Sequence, residues 1–138
     1  NVISFAKTFL KVNAVELDKL NYNVLQHNIH TYGLKNVVLY NQDYTKLMNV
    51  LKQDVVFMDP PWGGIGYRKQ KKLDLTLSNQ DISFWCKELF RLYLTHMIVL
   101  KVPKNFNRSK FYKATRDYCK KKKTVRLMKY DLCFLWSG

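Results

Sequence analysis

Apolar positions along this chain alternate between short continuous runs and helical spacings. Lys11 to Glu16 is a short strand-like run that ends in an acid. Asp18 is placed to cap a helix in which Leu20, Val24, Leu25, Ile29 and Tyr32 recur at helical spacing, and Gly33 ends it. Val37 to Tyr40 reads as a buried strand, Tyr44 to Leu51 as a short helix, and Asp54 to Met58 as a second buried strand stopped by two prolines. Ser78-Asn79-Gln80-Asp81 has the form of a capping box. Behind it Ile82, Trp85, Cys86, Leu89, Leu92 and Tyr93 share one helical face. His96 to Val102 predicts a strand, Phe111 to Lys120 a helix, and Thr124 to Trp136 a closing hairpin.

Such alternation predicts an α/β fold with a mostly parallel twisted sheet. The last two strands have no helix between them, so the sheet should close with an antiparallel hairpin at its C-terminal end. The 138 residues allow one domain with one core, spanning 1–138. Val2 to Phe9 reads as a helix already under way, whereas a doubly wound sheet normally opens with a strand and a glycine-rich turn. The first strand and that turn are therefore expected to be missing, and the chain to be an N-terminally truncated domain.

Composition narrows the class. An apolar fraction of 47% with 14% aromatics is that of a globular chain. No apolar run approaches the ~20 residues that span a bilayer, and the start does not resemble a signal peptide. Cys86, Cys119 and Cys133 are odd in number, far apart and outside any C-x-x-C pair, which argues against structural zinc and for a reducing compartment. An intracellular monomer without a membrane partner is the expectation.

Charge changes the picture most. Lys plus Arg number 24 against 10 for Asp plus Glu, a net +14. That excess points to an anionic partner, nucleic acid before small acids, although an AT-rich coding sequence produces the same lysine bias. Arg68, Lys69, Lys71 and Lys72 form one basic stretch, and Lys101, Lys104 and Arg108 flank Pro103 in another. The run Lys120 to Lys123 reads as the solvated end of a helix.

The chemistry concentrates in Asp59-Pro60-Pro61-Trp62-Gly63-Gly64, at the end of the strand Asp54 to Met58. In open α/β sheets ligands bind beyond the carboxyl ends of the strands. Two prolines fix φ and hold the preceding residue extended, giving a stiff, outward-facing cluster of acceptors around the Asp59 carboxylate. An exocyclic amine needs such acceptors for its hydrogens if its lone pair is to face an electrophilic methyl group. Trp62 adds a flat face on which a base can stack, a contact of roughly 1–3 kcal/mol, and the glycines permit a sharp turn close to a ligand.

This run resembles the (D/N/S)-P-P-(Y/F/W) motif of amino-methyltransferases. The longer Pro60-Pro61-Trp62-Gly63-Gly64-Ile65-Gly66-Tyr67 is similar to the P-P-W-G-G-P-x-Y signature of the trimethylguanosine synthase family, with Ile65 in place of a proline. The resemblance implies a Rossmann-like class I methyltransferase that uses S-adenosyl-L-methionine to methylate N2 of the 7-methylguanosine cap of RNA. Asp59, Pro60 and Pro61 would then be catalytic. Trp62, Gly63, Tyr67, Arg68, Lys101 and Lys104 would bind the capped RNA. Asn13-Ala14-Val15-Glu16-Leu17-Asp18 looks like the second-strand motif of these enzymes, and Asn28-Ile29-His30-Thr31-Tyr32-Gly33 like their helix ending. They imply a cofactor site at Glu16, Leu17, Asp43, Tyr44 and Asp59, with Asp43 equally well placed as a helix cap. Two rivals stand: an rRNA guanine-N2 or adenine-N6 methyltransferase, and a non-catalytic RNA-binding module on the same fold.

Overall fold

A computed structural model describes all 138 residues, Asn1–Gly138, which form two compact units, Asn1–Leu51 and Lys52–Gly138.

The first unit runs α1 (Val2–Thr8), β1 (Val12–Val15), α2 (Lys19–Thr31), β2 (Val37–Tyr40) and α3 (Tyr44–Leu47). β1 and β2 pair in parallel, Val12 opposite Val37 through Val15 opposite Tyr40. The side-chain amide of Asn36 donates to the carbonyls of Ala6 and Phe9, both at 2.8 Å, and so ties the end of α1 to the entry of β2. Asp18 caps α2 by accepting from the Asn21 N–H at 2.9 Å. Gly33, at φ 62°, closes it in the left-handed conformation that a Schellman ending requires. The half-buried face of α2 is Tyr22, Leu25 and Ile29, while Leu20, Val24 and Tyr32 are exposed. The apolar stripe is narrower than the spacing predicts. The helix over Tyr44 to Leu51 is also shorter, because after Leu47 the chain continues as turns closed by Val50 and Leu51 N–H groups on the Leu47 carbonyl.

The second unit holds β3 (Val55–Met58), a 3-10 turn over Gly64–Lys69, β4 (Thr76–Leu77), β5 (Gln80–Asp81), α4 (Ile82–Arg91), β6 (Met97–Val102), α5 (Arg108–Thr115), β7 (Lys121–Arg126) and β8 (Asp131–Trp136). Its four-stranded sheet has the order β3-β6-β8-β7. β3 and β6 are parallel; β8 is antiparallel to both β6 and β7. The expected α/β fold and its closing antiparallel hairpin are therefore present, but this sheet is mixed, with one parallel pair beside two antiparallel ones, where a mostly parallel sheet was expected. The hairpin inserts its second strand, β8, beside β6, which leaves β7 outermost. Ile98, Leu100, Cys133 and Leu135 lie opposite one another on β6 and β8 and are fully buried, as are Ile82, Cys86 and Leu89 of α4. Burial pushes the Cys86 thiol up and raises that of Cys133 as well, so both stay protonated and inert.

Four local expectations are corrected. Ser78 and Asn79 do not cap a helix; at φ 50° and 64° they form the tight turn of the β4–β5 hairpin, the geometry such two-residue turns demand. Asp81 caps α4 instead, accepting from the Ser83 N–H at 2.9 Å. The buried face of α4 ends on Phe90, with Leu92 and Tyr93 exposed, because the helix terminates at Arg91. The helix expected over Phe111 to Lys120 starts earlier, at the Asn107 cap, and ends at Thr115, so Lys121 to Lys123 belong to strand β7 and not to a helix end.

Tyr93 carries the same left-handed ending at α4 that Gly33 carries at α2. Its φ is 55°, its N–H meets the Phe90 carbonyl, and the Leu94 N–H meets that of Leu89. A side chain in this conformation costs roughly 1–2 kcal/mol, and Tyr93 is 82% exposed. Tyr93→Gly is expected to stabilise the fold by about 1 kcal/mol, part of the relief being lost to the greater freedom of unfolded glycine. A urea-unfolding midpoint measures the gain.

Candidate active site

β3 ends at Met58, so Asp59 leaves the sheet at its carboxyl edge, and Pro60 behind it is buried. In the parallel register Met58 lies opposite Leu100, which sets Asp59 level with Lys101 on β6. The Lys101 ammonium is 3.4 Å from the Asp59 carboxylate, whose side chain is 40% exposed. Lys101 also sits over the ring of Tyr130 at 4.7 Å, a cation–π contact that fixes it from the other side. Lys101, expected to meet substrate, thus stands beside Asp59 as its cationic neighbour.

The loop after the prolines is shaped by Gly63 and Gly64, at φ 94° and 73°. Only glycine adopts this pair of left-handed angles without strain. The turn brings Tyr67 edge-on to Trp62, with ring centroids 5.3 Å apart at 67°. The half-buried Trp62 keeps its indole N–H away from solvent with no acceptor in the protein. Asn105 holds the far side of the loop. Its side-chain amide donates to the Tyr67 carbonyl at 2.8 Å and to the Gln70 carbonyl at 3.0 Å. Arg68 donates to the Tyr67 hydroxyl at 3.1 Å, and that bond raises its already high pKa.

Lys104 and Arg108 converge on one buried carboxylate. Asp131, first residue of β8, is 1% exposed and pairs with the Lys104 ammonium at 2.6 Å and the Arg108 guanidinium at 2.5 Å. Sequence reasoning passed over Asp131, since an acid opening an apolar strand usually faces water. It also passed over Asn105 and Tyr130. The available signal was scarcity, because an acid in so basic a chain is rarely idle.

In the first unit, Glu16 follows β1 and Asp43 follows β2 at the same edge of the parallel pair. The Glu16 N–H donates to the Tyr40 carbonyl at 2.9 Å, and one Glu16 carboxylate oxygen accepts from the Asp18 N–H at 3.0 Å. The Asn41 side-chain amide donates to the carbonyls of Glu16 and Leu17, locking the turn in which the exposed Leu17 lies. Asp43 caps α3 through the Thr45 N–H and hydroxyl, and Tyr44 is the first residue of that helix. Two carboxylates at the carboxyl ends of adjacent parallel strands suit ribose hydroxyls and an adenine amino group, which are donors. These acceptors therefore fit the hydrogen-bond donors of S-adenosyl-L-methionine. No group of His, Cys, Asp or Glu is arranged to hold a metal ion, and no helix is long and apolar enough to cross a membrane.

A family model described as RNA cap guanine-N2 methyltransferase matches residues 1–133. The chain belongs to that family. A protein of Acanthamoeba polyphaga mimivirus whose function is uncharacterized is 37% identical over 121 residues, 86% of this chain and 47% of the viral protein. The trimethylguanosine synthase of Schizosaccharomyces pombe is 32% identical over 74 residues, 49% of this chain and 30% of that enzyme. The chain thus spans half or less of the curated relatives it matches. Among solved structures, the human methyltransferase 10 domain containing protein superposes with a TM-score of 0.58 at 14% identity, over 92% of this chain and 60% of that one. Membership and fold together make this a methyltransferase-fold chain of the cap guanine-N2 family.

The pairing at Asp131 sets the stability of the second unit's basic side. Removing one partner of a buried ion pair costs about 3–5 kcal/mol, and Lys104 at 45% exposure recovers water contacts. Asp131→Ala is expected to cost about 3 kcal/mol, at the low end, read as a lower urea midpoint.

Proposed function

We propose that the protein transfers a methyl group from S-adenosyl-L-methionine to N2 of the 7-methylguanosine cap of RNA. The observation that carries this reading is the stiff acceptor cluster Asp59-Pro60-Pro61 at the carboxyl end of β3, followed directly by Trp62, in a chain of the cap guanine-N2 family. Methyl transfer is an in-line displacement, so positioning supplies most of the catalysis.

In this reading Asp59 accepts from the guanine amino group and turns its lone pair outward, while Lys101 beside it supplies the carboxylate's countercharge. Trp62 stacks on the methylated, cationic guanine, and the edge-on Tyr67 prevents the indole from tilting away. Gly63 and Gly64 let the backbone approach the base without a side chain between them. Glu16, Leu17, Asp43 and Tyr44 hold the cofactor, which when bound supplies the electrophilic methyl. Arg68 meets the negative charge of the cap phosphates. The protein is read as acting as a single 1–138 catalytic domain and as a monomer.

Two substitutions test the roles on the full chain. Asp59→Ala is expected to leave S-adenosylhomocysteine affinity within about twofold by titration calorimetry, while labelled-methyl transfer to 7-methylguanosine-capped RNA falls by 10²-fold or more, the scale of a lost positioning contact. An undiminished rate overturns the assignment. Trp62→Ala is expected to weaken the cap nucleotide by about 1–3 kcal/mol, roughly 5- to 150-fold, with the cofactor unaffected. Transfer to uncapped stem-loop RNA equal to that on capped RNA would instead favour an rRNA-type substrate.

A further inference from the structure

Beside the Trp62 loop, within the second unit, lies an open cleft of about 460 Å³, of the size ligand sites have. Lys71, Lys72, Lys104, Asn105, Arg108 and Tyr112 line it. Its walls are braced by backbone. The Leu73 N–H donates to the Asn105 carbonyl at 2.8 Å, and the Asn107 N–H to the Leu73 carbonyl at 2.9 Å, so the strands of chain carrying the cations cannot drift apart.

The charges here are not balanced. Four cations face the cleft against one carboxylate, Asp131, which is buried beneath Lys104 and Arg108. Lys71 and Lys72 are exposed and have no acidic partner, whereas the neighbouring Lys110 is paired with Asp74 at 2.8 Å. Two free ammonium groups beside two cations pinned from below repel one another unless an anion lies between them. Asn105 joins this cleft to the base-stacking loop, because the same amide that lines the cleft holds the carbonyls of Tyr67 and Gln70. Cations also continue along the loop itself, at Arg68 and Lys69. A line of positive charge that begins at an aromatic clamp and runs into a groove suits a polyanion with a regular backbone better than a single phosphate.

We propose that this cleft is a second binding site, which holds the phosphate backbone of the RNA strand beyond its modified 5′ nucleotide, with Asp131 as the positioning residue that fixes Lys104 and Arg108 for it. The proposal rests on the reading of the substrate as RNA but not on the cap. It assigns affinity for the body of the transcript to residues separate from those that stack the guanine.

The test uses the full chain and two probes: a labelled, uncapped twelve-nucleotide single-stranded RNA, and the free 7-methylguanosine cap nucleotide. Affinity for the RNA is measured by fluorescence anisotropy across a potassium chloride series. Replacing both Lys71→Ala and Lys72→Ala should weaken RNA binding and flatten the plot of log affinity against log salt by about 0.7 for each lysine removed. The cap nucleotide should bind that variant as before. An unchanged salt slope overturns the proposal, and so does an equal loss for the cap nucleotide, which would make the cleft a site for terminal phosphates alone. Inorganic tripolyphosphate competing as well as RNA of equal phosphate content would overturn it too. Asp131→Asn separates placement from bulk charge: deleting a negative charge should tighten RNA binding if charge alone matters, and weaken it if Asp131 holds the cations in place. Should that variant fail to fold, the lysine pair still decides the cleft. Trp62→Ala gives the converse pattern, losing cap nucleotide while keeping the salt slope, so failure of the cap reading is distinguishable from failure of this one.

Discussion

Strand β6 is the constraint on which the second unit depends. It is hydrogen-bonded on both edges, parallel to β3 and antiparallel to β8, and its register leaves no freedom about what stands at its end. Met58 opposite Leu100 places Asp59 beside Lys101, and Val102 opposite Asp131 places a carboxylate next to the stretch that carries Lys104 and Arg108. A slip by one residue would turn the buried Ile98, Leu100 and Val102 outward and scatter all of these groups. The core thus fixes the chemistry through side-chain alternation, with no need for a dedicated scaffold around the site.

From that fixed edge the two sets of charges diverge. Asp59 remains 40% exposed and has one loosely placed cation, an arrangement that still leaves acceptor capacity for an amine. Asp131 is buried, and each of its two oxygens is engaged by a short ion pair. Two acids separated by β6 therefore stand in opposite environments: one is open to water and lightly paired, the other is enclosed by cations. Solvent access separates the two.

Most of the fold was legible in the sequence, because strands such as Val37–Tyr40 and Val55–Met58 are short apolar runs bounded by polar or proline residues. The site motif was legible for a similar reason: Asp59-Pro60-Pro61-Trp62 is contiguous, and its position follows from the strand before it. What escaped depends on contacts distant along the chain. Asp131 lies 23 residues from Arg108 and 27 from Lys104, and no local pattern announces that they meet. Ser78 and Asn79 misled because residues that favour helix caps also favour left-handed turns, and only the pairing of Thr76 with Asp81 decides between them. The end of α4 was misplaced because its apolar spacing runs on through Tyr93, whose backbone has already left the helix.

β7 is the outermost strand of its sheet, with β8 as its sole partner there, and it opens with Lys121, Lys122 and Lys123. An uncovered strand edge offers unpaired backbone groups to any similar edge it meets, and lysines along it are a common protection against such association. Two copies pairing along this edge would bring the basic side chains of one, Lys121 to Lys123 and Arg126, against those of the other. Lys121 and Lys122 rest over the rings of Trp136 and Tyr112, so this barrier is held in place and does not depend on freely waving side chains. The lysine run therefore has a colloidal consequence: like charges repel along a six-residue sheet margin whose backbone groups a neutral edge would leave open to pairing.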